Sequence, residues 1–350
     1  MKPVVPKVPL KVWRNLYRAA DAFRRARPWE WFDDVDLVGV RHPQSGQTGF
    51  GVCMGSAGTL FGLCLYRGAE GLNFYRSLIE EEVEEEHIFA MQNCLKLELG
   101  ERNSLPEEDR AIIRRLGLTF KGKHAWPEFR SLLPGYAPWF LNREEAEFLT
   151  LGLDAVCHHL QLVLQSDVIE SVDGIACLVY TPRKGTGGEF DASWEDWPGS
   201  RAEPVAPAIL NVARIDAIRA KNPEHDGVWE ADVFHQFTMI LDRDRPYWVR
   251  AGVVCDHITG FVIELAVVHP EVPLGQVLVD TICSALEKAS VRPKQVYVKG
   301  DEQAAALAPL AKLLGFPVGI RRDLPAVVEL QEAMEQDFGG RRRRGDKSIN

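Results

Sequence analysis

The sequence predicts an α+β protein of two consecutive domains, each an antiparallel meander with helices packed on it. Three observations lead there. At 350 residues the chain exceeds what one core ordinarily fills, because cores stop growing near ~250 residues. Both halves combine short strand-like runs in a meander with longer helical ones. A stretch rich in Gly and Pro, Arg183–Pro207, divides the two halves and reads as a connection. The expected organisation is an N-terminal domain over 1–182, a linker over 183–207, a C-terminal domain over 208–338 and a flexible basic tail over 339–350.

Along the first half, Val12, Leu16, Ala19, Ala20 and Phe23 recur at helical spacing with Arg and Lys between them, so Leu10 to Arg27 reads as an amphipathic helix that Pro28 ends. Three strand-like runs follow, Asp36–Arg41, Gly49–Met54 and Leu60–Tyr66, separated by Pro43-Gln44-Ser45-Gly46 and Gly55-Ser56-Ala57-Gly58. Ala69–Ile79 reads as helix, running into the acidic Glu80–Glu86, a solvated face whose adjacent like charges repel rather than converge on a metal. Ala125 to Trp139 carries prolines and aromatics with too little periodicity for a regular element. Asn142 with Glu145 three residues on has the form of a capping box, opening a long helix to about Gln165. Ile175–Thr181 closes this half as a strand.

The second half is more regular. Asp232–Leu241, Pro246–Cys255 and Phe261–Val268 form a second meander. Helix Leu274–Ala289, strand Gln295–Lys299, helix Asp301–Leu314, strand Phe316–Arg321 and helix Leu324–Phe338 follow in alternation. Gly315 is placed to stop the middle helix, and Asp301 has the residue type of an N-cap. Gly339-Gly340 then leads into Arg341–Arg344.

Composition narrows the function classes. With 46% hydrophobic and 26% charged residues there is apolar surface enough to offset ordering entropy, which excludes wholesale disorder. A formal charge of −9 does not support nucleic acid as a partner, although a local basic patch, Arg321 and Arg322 with the arginine tail, is compatible with it. No apolar run reaches the ~18 residues that span a bilayer and the proline-broken N-terminus lacks a signal-peptide core, so the expectation is a cytoplasmic protein with no membrane partner. The seven cysteines, Cys53, Cys64, Cys94, Cys157, Cys177, Cys255 and Cys283, include no CxxC pair and read as reduced core residues.

The remaining motifs favour structural readings. His158 and His159 point ~100° apart on a helix, outside any HExxH pattern. Cys255-Asp256-His257 has the residue types of a nucleophile with a base, but adjacent residues at a strand end face opposite ways and the next-but-one pair, Cys255 and His257, runs into a turn. Gly55–Thr59 and Lys184–Gly188 lack the Walker lysine and the GxGxxG spacing, and so read as turns.

Two resemblances go further. Trp126-Pro127-Glu128-Phe129-Arg130 and Pro134-Gly135-Tyr136-Ala137-Pro138-Trp139, with Arg292-Pro293-Lys294-Gln295-Val296-Tyr297-Val298, Gly315-Phe316-Pro317-Val318 and Leu324-Pro325, resemble a bacterial family with two domains of unknown function in tandem. That family supplies no catalytic residues to carry over. The order of elements over 232–338 is similar to that of RNase H-like nucleases and integrases. The resemblance implies a catalytic pair, Asp232 on the first strand and Asp301 after the fourth, converging on magnesium or manganese, with a third acid among Glu329, Glu332, Glu335 and Asp337. Read without it, Asp232 enters a strand and Asp301 caps a helix. The sequence as a whole reads as an interaction or regulatory protein without catalysis and without a cofactor. The alternatives are a metal-dependent nuclease-like enzyme and a non-catalytic nucleic-acid-binding module.

Overall fold

The computed structural model describes residues 4–33, 35–80, 88, 91–165, 176–183, 189–196, 207–221, 224–242, 244–289 and 291–345. The chain divides into two compact units, Met1–Arg201 with Asp242–Arg245, and Ala202–Leu241 with Pro246–Asn350.

The first unit is built on a seven-stranded sheet ordered β5-β4-β3-β2-β1-β6-β7. Its strands are β1 (Leu37–Arg41), β2 (Thr48–Met54), β3 (Gly62–Arg67), β4 (Cys94–Gly100), β5 (Trp126–Leu132), β6 (Ala176–Pro182) and β7 (Phe190–Asp196). The meander β1 to β5 is antiparallel throughout, whereas β6 returns parallel to β1. The helices are α1 (Leu10–Ala26), α2 (Gly68–Ile79), α3 (Glu107–Leu116) and α4 (Arg143–Gln165). Alternation along the strands gives the sheet two apolar faces. Leu63, Leu65, Leu95 and Leu97 pack with Leu16, Phe23, Leu149 and Leu153 of α1 and α4, while Phe50, Val52, Tyr66 and Cys94 pack with Leu72, Phe74 and Tyr75 of α2.

Several expectations for this unit change. The proline- and aromatic-containing stretch after Ala125 supplies β5, where Pro127 pairs with Leu99 on the outermost strand; an edge position has no need of the missing N–H on its open side. Inside the expected linker, Phe190–Asp196 forms β7 along the whole of β6. Helix α3 carries Pro106 before its first turn, three acids in that turn and a left-handed Gly117 after its end. The Glu80–Glu86 run lies, after Glu80, outside the described residues. The capping box holds as drawn: Asn142 Oδ1 accepts the Glu145 N–H at 2.9 Å and Glu145 Oε2 accepts the Asn142 N–H at 2.9 Å.

The second unit carries a five-stranded sheet ordered β10-β9-β8-β11-β12, from β8 (Val228–Ile240), β9 (Tyr247–Asp256), β10 (Val262–Val268), β11 (Gln295–Val298) and β12 (Val318–Ile320). The first three strands are antiparallel, and β8, β11 and β12 run parallel, so the first and fourth strands are neighbours in mid-sheet. Helices α5 (Val212–Lys221), α6 (Leu274–Lys288) and α7 (Asp301–Leu314) cover one face, burying Trp229, Ala231, Leu278, Ile282, Leu307 and Leu310 together. Gly252 of β9 admits α6 closely, since a Cβ there would stand 2.2 Å from Thr281 Oγ1. The other face meets α8 (Pro325–Gly345) through Phe234, Val253, Cys255, Leu324 and Val327. Gly315, at φ 76°, ends α7 as its position implied. Helix α8 does not stop at Phe338. It continues to Gly345.

Candidate functional site

The polar cluster of the second unit starts from strand alternation. Trp229 and Ala231 of β8 point into the core under α6 and α7, which sends Glu230, Asp232 and Phe234 to the face that α8 covers. Both acids are buried, Glu230 at 0% and Asp232 at 2% relative exposure, and a carboxylate so placed must find partners.

Asp232 finds them at the end of β11. The pairing Val296↔Trp229 and Tyr297↔Glu230, carried two residues on, brings Lys299 beside it. The Lys299 ammonium is 3.7 Å from Asp232 Oδ2. Oδ1 accepts from Gln303 Nε2 at 2.7 Å and from the Val233 N–H at 2.8 Å. Gln303 stands in the first turn of α7, and its own Oε1 accepts the Lys299 N–H at 2.8 Å. Burial still pushes the Asp232 carboxyl above the ordinary range, against the opposing pull of Lys299 and Gln303.

Glu230 is held from the other side. Its Oε2 accepts the Val327 N–H at 3.1 Å, in the first turn of α8, and its Oε1 meets His257 Nδ1 at 2.5 Å. The second ring nitrogen, Nε2, lies 3.1 Å from Arg321 Nη1. A guanidinium only donates, so Nε2 accepts and the ring proton sits on Nδ1, donated to Glu230. Tyr297 lies edge-on to His257, with ring centroids 5.6 Å apart, and beneath the Arg321 guanidinium at 5.7 Å.

The two sequence-predicted acids fare differently. Asp232 is the buried member of this cluster. Asp301 is exposed in the first turn of α7, where Gly300 rather than Asp301 is the N-cap and no side-chain cap bond forms; Gln303 ties the helix start instead. Of the acids offered as a third ligand, Glu329 reaches the β9–β10 turn, 3.5 Å from where a Cβ on Gly260 would sit, and Glu332 is exposed. The side chains of Glu335 and Asp337 lie outside the described residues. Among the described residues no group of three or more His, Cys, Asp or Glu is placed to hold a metal ion. The Cys255 and His257 pair is not a nucleophile with its base: Cys255 is buried, its thiol pushed up to about 12 by that burial, and both nitrogens of His257 are engaged elsewhere.

Sequence reasoning missed Glu230, Lys299 and Gln303, and it considered Arg321 only as part of a basic patch for nucleic acid. The signal for Glu230 was present in Trp229-Glu230-Ala231-Asp232, two acids alternating with apolar residues. That pattern is also what a strand with one wet face looks like. What the cluster does is mechanical as well as electrostatic: Glu230 fastens the start of α8 and Asp232, through Gln303, the start of α7.

In the first unit the polar contacts are of the same kind. His159 Nδ1 and the Tyr180 hydroxyl are 2.7 Å apart, and burial depresses the imidazole to about 4. His158 packs on Tyr180 and Phe190. Among the described residues no helix is long and apolar enough to cross a membrane.

Comparison with known families matches residues 13–179 to a domain of unknown function (DUF7309) and residues 214–335 to a second domain of unknown function (DUF6930). No curated protein matches the chain. The two matches fall one on each compact unit, so two domains of unknown function stand in tandem along this chain.

Proposed function

We propose that the protein acts by interaction rather than catalysis, and that its second domain is an RNase H-like sheet whose carboxylate serves structure. The observation that carries this reading is the partner of Asp232. In a two-metal hydrolase the acid on the first strand of such a sheet accepts a divalent cation. Here an ammonium, that of Lys299, and the amide of Gln303 take up that carboxylate, and a second cation would meet the repulsion of the first. Nothing catalytic is then asked of Asp301, which stays in solvent. A reducing compartment such as the cytoplasm suits the chain, since all seven cysteines are free.

Calorimetric titration with magnesium and with manganese tests the reading on wild type, Asp232→Asn and Lys299→Met. Wild type is expected to give negligible heat. A saturable heat in wild type that Asp232→Asn abolishes, accompanied by metal-dependent cleavage of a nucleic acid, would sink it.

A further inference from the structure

On the α2 side of the first sheet, three sulfur side chains run diagonally across three neighbouring strands. Met54 ends β2, Cys64 lies in β3 and Cys94 begins β4. The register sets Cys64 opposite Lys96 and Tyr66 opposite Cys94, so the two cysteines are diagonal neighbours on one face. Both belong to the same buried cluster. The Cys64 thiol also stands 3.5 Å from the Met54 thioether. The cysteines are buried, Cys94 at 1% and Cys64 at 9% exposure, while Met54 is half-buried at the margin of the cluster.

We propose that Cys64 and Cys94, with Met54 as a third, weaker ligand, form a binding site for one cuprous ion. Thiolate and thioether donors select a soft monovalent cation over magnesium, calcium or manganese. Diagonal neighbours on one face of an antiparallel pair stand about 7–8 Å apart, a span that two Cβ–Sγ arms converging on one ion can close. Binding is a proton exchange with no electron transferred: the two S–H bonds break, two copper–sulfur bonds form, two protons leave to solvent, and the dithiolate copper unit carries one net negative charge.

The surroundings suit that charge. Lys96, directly across from Cys64 and ion-paired with Glu98 at 2.7 Å, acts electrostatically on both thiols, and Arg67 acts on Cys94. The margin at Met54 offers the entry, with the thioether meeting the ion before the thiolates do. Phe50, Val52 and Leu72 keep water from the rest of the site.

Anaerobic titration of the full chain with Cu(I), against a bathocuproine-type chelator in competition, tests the site. One equivalent is expected to stay on the protein, with ultraviolet thiolate-to-copper charge transfer, a sulfur shell in X-ray absorption and affinity that rises with pH. Cys64→Ser and Cys94→Ser are each expected to lose it. Met54→Leu, which preserves volume, should bind at least roughly tenfold more weakly. Cys283→Ser, in the core of the second unit, should bind as wild type does. If the chelator strips wild type completely, or if copper stays on both Cys64→Ser and Cys94→Ser, the site does not exist. Should the serine variants fail to fold, undiminished affinity in Met54→Leu together with an X-ray absorption spectrum lacking sulfur neighbours would overturn it equally.

Discussion

Glu230 and Asp232 are two residues apart on one strand, both buried, and each is answered by a different chemistry. Glu230 has a backbone N–H and a neutral imidazole; Asp232 has an ammonium and an amide. Removing Glu230 leaves His257 and the first turn of α8 without their acceptor, so Glu230→Ala is expected to cost the second domain about 2–4 kcal/mol in urea unfolding. Asp301→Ala, which removes an exposed side chain with no cap bond, should stay within about 0.5 kcal/mol of wild type. Equal losses in the two variants would mean that the partner assignments are wrong. His159 supplies a pH test in the first domain. Its folded imidazole titrates at about 4, against 6.5 for the ordinary group. Between those values the unfolded chain takes up a proton that the folded one refuses, so stability falls as pH drops through the window, by at most about 3 kcal/mol. Above pH 6.5 this contribution is constant. His159→Gln should flatten the slope of unfolding free energy against pH between 6.5 and 4; an unchanged slope would assign the acid sensitivity to other groups.

At the scale of elements, what was legible and what was not follows from where periodicity survives. The Asn142 and Glu145 box announced α4 because its chemistry is local, two side chains and two N–H groups within four residues. Asn142→Ala should therefore cost about 1 kcal/mol in chemical unfolding followed by far-ultraviolet circular dichroism, and a change below about 0.3 kcal/mol would show that α4 is held by packing alone. The second meander and the alternation after it were equally readable, since Gly, Pro and Asp punctuate every connection. Strand β5 was hidden by Pro127, whose tolerance depends on being outermost in the sheet, a fact of topology rather than sequence. Strand β7 was hidden by the glycines and prolines around it, and it exists because β6 offers it a partner. Of the candidate site, Asp232 could be named because acids on a first strand are a recognisable pattern. Lys299 and Gln303 could not, because only the parallel register of β11 on β8 brings them to it.

For the whole molecule the two sheets imply two separate stability problems. The first is solved by leucines and aromatics of α1, α4 and β3 to β5 on one face and by α2 on the other. The second is solved by α6 and α7 on one face and α8 on the other. A defect placed deep in one core should be felt there first. Leu286 of α6 is wholly buried, and Leu286→Ala removes three carbons from a site that cannot collapse freely, a loss of about 2–5 kcal/mol. Hydrogen exchange on the full chain reads the consequence amide by amide. Protection in β8, β9 and β11 should fall by roughly 30-fold or more, since each 1.4 kcal/mol is about a factor of ten in opening. Amides of β3 and β4, whose side chains belong to other clusters, should exchange as in wild type. If protection in β3 and β4 fell in step with β8, the chain would unfold as one cooperative body, and the proposal of two independently stable domains joined in tandem would have to be given up.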